Sequence, residues 1–338
     1  MTSGRGFAIF AGGMADLIVT NGDTAADLLR QAGRTGTILP WRDVLHEGPL
    51  VAGPLETSSR ERVNYLAHRF RIPEEEIAAE FAERDAIMRA HETFDTIELW
   101  FEHDLYDQLQ LVQALGFLES VGRRDGVTLV QADDFLGAER ASTILRFAER
   151  GRPVTSVDLL LAASVWSDLV ASTPERIARR AATTDPGLPF LRAALIRFLE
   201  ELPAPGSGLG RTEQTILSEI GSGFRAPVAL FHDALRQEEA AFMGDWSFFH
   251  LLDDLASCDV PLIVGLPPPG AADTDAERFH EAELELTPAG EDVIAGEDDH
   301  VALSGIDRWW AGTRLQGRAV WRYDRGSRLL VAPGAAAE

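Results

Sequence analysis

The chain has 338 residues, 45% of them hydrophobic and 25% charged, which is enough for two domains or for one large domain with an appendage. Its formal net charge is -23 and it contains no lysine, so all 31 basic side chains are arginines. Such a chain is repelled by nucleic acid and by anionic membranes unless it carries a local basic patch. A single cysteine, Cys258, excludes an intrachain disulfide and fits a reducing cytoplasm.

The apolar run at 7–11 is too short and too glycine-interrupted for a signal peptide, and the residues before Ala15 read as a loose start. No stretch is long and apolar enough to span a bilayer. Residues 17–20 form a compact apolar run, as in a strand buried on both faces. Asn21-Gly22-Asp23-Thr24 turns that strand into a helix, with Asp23 or Thr24 as its expected cap and Gly33 as its stop. A second strand is expected at 37–41, closed by Gly48-Pro49. Helices follow at 59–70 and 74–91, the latter opening with Pro73 and three glutamates that suit a helix N-terminus. A third strand at 96–101 runs into Asp104, the expected cap of a helix at 105–118. A fourth strand at 127–131 ends at Asp133-Asp134. This alternation predicts an α/β domain over 15–150, a parallel sheet flanked by helices.

From 151 to 203 the pattern is helical, and 203–208 (Pro-Ala-Pro-Gly-Ser-Gly) reads as a linker. In 204–331, helices at 212–220, 227–242 and 245–257 precede strands at 261–266 and 282–286, which is the order of a winged helix. Further strands are expected at 309–315 and 319–331, and disorder at 332–338. The third helix of this winged-helix-like domain carries Asp245, Asp253 and Asp254 and no arginine. Asp273, Asp275 and Glu277 make the wing acidic, so specific DNA binding is not expected. An arginine cluster (Arg308, Arg314, Arg318, Arg322, Arg325 and Arg328) could bind RNA or an acidic partner, but is rather expected to dock on the acidic segment 281–299 of the same chain.

Ligands of open α/β sheets bind where strand carboxyl ends meet helix N-termini. Asn21, Gly22, Asp23 and Thr24 fall there, as do Asp43, His46, Glu47, Glu102, His103 and Asp104, and Asp133 could join them from the fourth strand. Four chemistries fit these residue types. The N–H groups after Gly22, with Arg42 as counter-charge, could hold a phosphate, although Asp23 opposes it and no glycine-rich phosphate motif is present. His46, Glu102, His103 and Asp104 could hold a divalent metal, at a spacing that matches no strong motif. His46 or His103 beside a carboxylate could do acid–base work. Nucleophilic catalysis of the SGNH-hydrolase kind is poorly matched, because Thr24 replaces the serine and Asp43-Val44-Leu45-His46 comes too early. Glu98 shares a strand face with Trp100 and needs either an open site or an arginine partner.

The blocks Thr20-Asn21-Gly22-Asp23-Thr24, Trp41-Arg42-Asp43 with Glu47-Gly48-Pro49, and Leu99-Trp100-Phe101-Glu102-His103-Asp104-Leu105 with Gln108 come in a fixed order. Over residues 15–140 this pattern resembles a bacterial family called domain of unknown function 1835. The run Leu286-Thr287-Pro288-Ala289-Gly290, with Gly305-Ile306-Asp307-Arg308-Trp309, is similar to the tail that often accompanies that domain. The resemblance implies a shared fold and polar cluster, and no activity. The expectation is a cytoplasmic protein that binds or processes a small polar ligand, phosphorylated or metal-bound. His46, Glu102, His103 and Asp104 would then be its catalytic candidates. Asn21, Gly22, Asp23, Thr24, Arg42, Asp43, Glu47 and Gln108 would be its ligand contacts. The rival is a non-enzymatic adaptor or transcription-associated protein acting through the C-terminal domain. The sequence assigns no cofactor, metal or oligomeric state.

Overall fold

The computed structural model describes residues 15–268 and 275–334. The expected loose start, Asp273 of the wing and residues 335–338 of the expected disordered tail lie outside the described residues. The first half alternates as the hydrophobic pattern requires: β1 (Ala15–Thr20), α1 (Asp23–Gln31), β2 (Thr37–Pro40), α2 (Leu55–Phe70), α3 (Glu74–Arg89), β3 (Phe94–Phe101), α4 (Leu105–Ser120), β4 (Val127–Gln131) and β5 (Arg152–Pro153). The sheet order is β2-β1-β3-β4-β5, parallel except for the short antiparallel β5. Leu17, Ile18 and Val19 are all fully buried, because helices cover both faces.

Register brings the carboxyl ends level. Thr20 of β1 lies opposite Pro40 of β2 and Trp100 of β3, and Phe101 lies opposite Gln131 of β4. The residues that follow each strand, Asn21, Trp41, Glu102 and Ala132, therefore leave the sheet along one edge. Glu98 finds its arginine: Arg34 pairs with it at 2.5 Å and the Trp100 indole donates to it at 2.8 Å, so this acid is structural.

α4 is apolar around most of its circumference and is buried accordingly. It packs against α5 (Ser156–Leu169) and, beyond α6 (Glu175–Ala181), against α7 (Leu191–Leu199). The stretch 203–208 is no free linker. Pro203 O accepts from Tyr323 N, Ser207 O from His300 N, and Ala204 N donates to Leu209 O.

The next unit has a core of its own, including Ile216, Leu217, Leu230, Phe248, Leu252 and Leu284. Its elements are α8 (Arg211–Gly221), α9 (Pro227–Arg236), α10 (Asp245–Ser257), β6 (Ile263–Val264), α11 (Asp275–Glu281) and β7 (Glu285–Leu286), with β6 and β7 paired antiparallel. This is three helices followed by a small ribbon. α12 (Pro288–Ala295) and α13 (His300–Ser304) complete it.

The expected strand at 309–315 is instead a hairpin, β8 (Ile306–Trp310) and β9 (Thr313–Gly317), turned at Ala311-Gly312. A second hairpin follows, β10 (Arg322–Asp324) and β11 (Leu329–Val331). Trp310, Leu315, Val320 and Tyr323 pack into the core of the α/β and helical regions and not into the winged unit. Trp310 stacks on Phe198 with ring centroids 4.3 Å apart and donates its indole N–H to Phe198 O.

Five of the six arginines of this segment are occupied within the chain. Arg308 meets Glu213, Arg314 meets Asp307, Arg325 meets Gln214, and Arg318 caps the carbonyls of Ala302 and Leu303. Arg322 alone of these meets the expected acidic segment, through Asp299. No helix among the described residues is long and apolar enough to cross a membrane.

Candidate functional site

The site is assembled at the sheet edge from β1, β3 and the first turn of α4. Asn21, next after β1, donates its amide to Glu102 Oε1 at 3.0 Å and to Asp107 Oδ2 at 2.9 Å. Glu102, next after β3, also accepts from the Leu136 N–H at 2.9 Å and donates its own N–H to Asp107 Oδ1 at 2.6 Å. Asp104 caps α4 by accepting from Asp107 N at 3.1 Å. Gln108 lies beneath, donating to Glu102 O at 2.6 Å.

Glu102, Asp104 and Asp107 are all buried, and each offers a carboxylate oxygen within 4.8 Å of the other two. Charges crowded this closely out of water cannot all persist unless something offsets them. Burial pushes the Glu102 carboxyl up, and the Asp104 charge pushes it further. Burial likewise raises Asp104, against the pull of the Asp107 N–H bond. Asp107 is raised well above the usual carboxylate range by burial and then by its two acidic neighbours. Burial and mutual repulsion thus favour the protonated forms of the cluster. Three hard oxygen donors of this kind suit Mg²⁺, Mn²⁺ or Ca²⁺.

The cluster opens on a cleft of about 730 Å³. One wall holds Asn21, Glu102, Asp104 and Asp107. The other comes from the winged unit, with Phe242, Met243 and Trp246 among its lining. His46 also lines it. That imidazole is 9% exposed, neither ring nitrogen has a hydrogen-bond partner, and the Phe242 ring stands 5.0 Å away, edge on. Burial lowers its pKa from 6.5 to about 4, so it is neutral at physiological pH.

Of the three strand ends expected to converge, two do. Asn21, Glu102 and Asp104 meet directly, with Gln108 in support. The loop after β2 sends only Val44 and His46 to the cleft. Asp43 is taken by the fully buried Arg62, whose Nε donates to it at 2.9 Å. Arg62 also donates to the carbonyls of Glu47 and Val44 at 2.7 Å, which fixes the loop. Gly48 is required there: its φ is 78°, and a Cβ would stand 2.4 Å from the Tyr65 ring. Glu47 turns away from the cluster to accept from Ser247 of α10 at 2.5 Å and to meet Arg69 at 3.4 Å.

The phosphate-loop expectation fails on geometry. Arg42 is locked onto Asp23 by two bonds of 2.9 and 2.7 Å. Gly22, which has no side chain, is the N-cap of α1, so neither Asp23 nor Thr24 caps it, and Thr24 is exposed. His103 packs edge-on against Phe190 at 5.8 Å and is not among the cleft-lining residues. Asp133 pairs with Arg150 at the surface.

Asp107 is the site residue that sequence reasoning missed. Its signal was present: an acid three positions after the helix-capping Asp104 lies on the same helix face, in register with Glu102. It was hidden because acids in a first helical turn are routine.

No family model matches the chain, and the search of curated proteins gives no match.

Proposed function

We propose that this protein holds a divalent cation on Glu102, Asp104 and Asp107 and binds a small oxygen-bearing ligand on that cation in the adjoining cleft. The observation that carries this reading is the convergence of three buried carboxylates, each with an oxygen within 4.8 Å of the others, at the carboxyl edge of a parallel sheet. A cation offsets the charge that protons otherwise take up, and its free coordination positions face the cleft's contents. His46, a neutral imidazole with neither nitrogen partnered among the described residues, lines the same cleft.

The resemblance of residues 15–140 to the domain of unknown function 1835 belongs to this proposal, since two of its three blocks supply Asn21, Glu102 and Asp104. A cytoplasmic setting fits the single cysteine. The adaptor alternative is weakened by the place of α10. Its Ser247 bonds Glu47, and its Asp254 takes two bonds from Arg69, so the helix that would read DNA is turned onto the α/β unit.

Calorimetric titration with Mn²⁺, Mg²⁺ and Ca²⁺ tests the reading. The expected result is one saturable site that disappears in Glu102→Gln. No binding by the wild-type protein, or unchanged binding by the variant, would overturn it.

A further inference from the structure

The cleft described above is polar on one side only. Beyond the acids, its lining includes Phe70, Ile72, Phe135, Phe242, Met243 and Trp246. Ile72, Phe135 and Trp246 are 40%, 55% and 43% exposed. They come from three separate places: the turn after α2, the loop after β4, and the start of α10. Apolar side chains that converge from unconnected segments, while remaining in water, mark a surface awaiting an apolar partner. The cleft's volume of about 730 Å³ is that of a site for a small organic molecule.

Charge narrows the class further. Among the described residues no arginine lines the cleft, and the chain has no lysine. Arg42, in the loop after β2, is held by Asp23. The first backbone N–H groups of α4 face Asp104, which accepts from Asp107 N, so the helix start is already occupied by a carboxylate. With no cationic side chain in the described lining, the cation of the proposed function is what would hold an anionic group here. Five aromatic side chains, counting Tyr106 with Phe70, Phe135, Phe242 and Trp246, border the rest of the space. Aromatic rings exposed at a rim are stacking platforms for planar groups.

Resting on the cation reading, we propose that the ligand is an oxyanion carried on a planar aromatic body. The oxyanion, a phosphate or a carboxylate, sits on the cation. The aromatic body lies among Phe135, Trp246 and Phe242. His46, nine-tenths buried with neither ring nitrogen partnered among the described residues, lines the same cleft. Binding is ordered: cation first, then ligand.

The test uses the full chain with Mn²⁺ and four probes: phenyl phosphate, benzoate, glycerol phosphate and benzyltrimethylammonium, with binding read by calorimetry. Phenyl phosphate or benzoate should bind about tenfold or more tightly than glycerol phosphate, and only with Mn²⁺ present. Which of the two binds better identifies the head group. Trp246→Ala and Phe135→Ala, both at exposed positions, should abolish that preference while leaving Mn²⁺ affinity unchanged. Equal binding of glycerol phosphate, or no binding of either aromatic anion to the Mn²⁺-loaded protein, overturns the ligand assignment and leaves the cation reading standing. Benzyltrimethylammonium competing with Mn²⁺ overturns it in favour of an organic cation. Absence of Mn²⁺ binding in the wild-type protein is the separate failure of the cation reading.

Discussion

Asn21 and Glu102 are separated by 81 residues, yet the amide of one donates to the carboxyl of the other at 3.0 Å. With its other hydrogen Asn21 reaches Asp107 at 2.9 Å, so a single neutral side chain holds two acids together. Asn21→Leu leaves both acceptors buried and unmatched and should lower the unfolding free energy by about 1–3 kcal/mol. Asn21→Asp adds a fourth carboxyl, and should be destabilised in EDTA and largely restored by Mn²⁺. Urea unfolding in the two conditions measures both. An Asn21→Asp variant as stable as wild type in EDTA would remove the case for charge crowding.

Glu102 and Asp107 should respond differently to amide substitution. Glu102 takes its N–H donors from Asn21 and Leu136 on Oε1, and burial favours its neutral form. Glutamine reproduces that pattern. Asp107 accepts an N–H on each oxygen, so asparagine would set its amide against a donor. Glu102→Gln should match or exceed wild-type stability in EDTA and gain nothing from Mn²⁺. Asp107→Asn should lose about 1–3 kcal/mol in EDTA. Thermal unfolding of the two variants side by side decides it.

The pH dependence has two limbs of opposite sign. Burial raises the three carboxyls above their unfolded values, so the folded state holds more protons. That contribution is complete below the unfolded carboxylate pKa and is lost as pH rises through the folded values. Burial lowers His46 from 6.5 to about 4, so its contribution is present above 6.5 and is lost as pH falls towards 4. Above pH 6.5, where His46 no longer titrates, Tm in EDTA should fall with rising pH, by about 2–4 °C for each kcal/mol lost. Mn²⁺ should oppose this fall, with a gap that widens as pH rises. Glu102→Gln should flatten the alkaline limb and His46→Phe the acid one. Scanning calorimetry across pH 4–9 reads both limbs.

Arg69 links α2 to α10. It gives two bonds to Asp254, at 2.9 and 2.8 Å, and a longer one to Glu47 at 3.4 Å. Asp254 is half exposed, so Arg69→Ala should cost only about 1 kcal/mol of global stability. Its larger effect should be local, as faster amide exchange in α10 with little change in α4. Hydrogen exchange resolved by peptide checks this. Unchanged exchange in α10 would mean that apolar packing alone holds the helix in place.

The four parallel strands were legible in the sequence because they are short apolar runs alternating with helices, whereas their order in the sheet and the short antiparallel β5 were not. The acid pair Glu102 and Asp104, with Asn21, was legible for the same reason. What could not be read was which polar residues already had partners. Asp43 looks like a site residue until Arg62, 19 positions later, is found fully buried against it. Arg42 looks like an anion ligand until it is seen bound to Asp23. Such pairings depend on the three-dimensional approach of helices to loops, and residue spacing does not encode it. The hairpin at 306–317 reads in sequence as a single strand over 309–315 because Ala311 is an unusual turn residue, with φ at 52°.

That hairpin turn sets an order on the life of the chain. Ala311 O accepts from Leu50 N at 3.1 Å, and Gly312 N donates to Leu169 O at 2.8 Å, where a Cβ on Gly312 would collide with the Val170 backbone. During synthesis the sheet emerges first and can begin to fold. Its loop after β2 nevertheless lacks a hydrogen-bond partner, and the nearby core lacks Trp310, until the ribosome has delivered residues made long afterwards. A nascent chain stalled in the winged unit would therefore present an incomplete α/β domain to chaperones. A lesion at Gly312 would be felt at Leu50, in the part of the protein translated first.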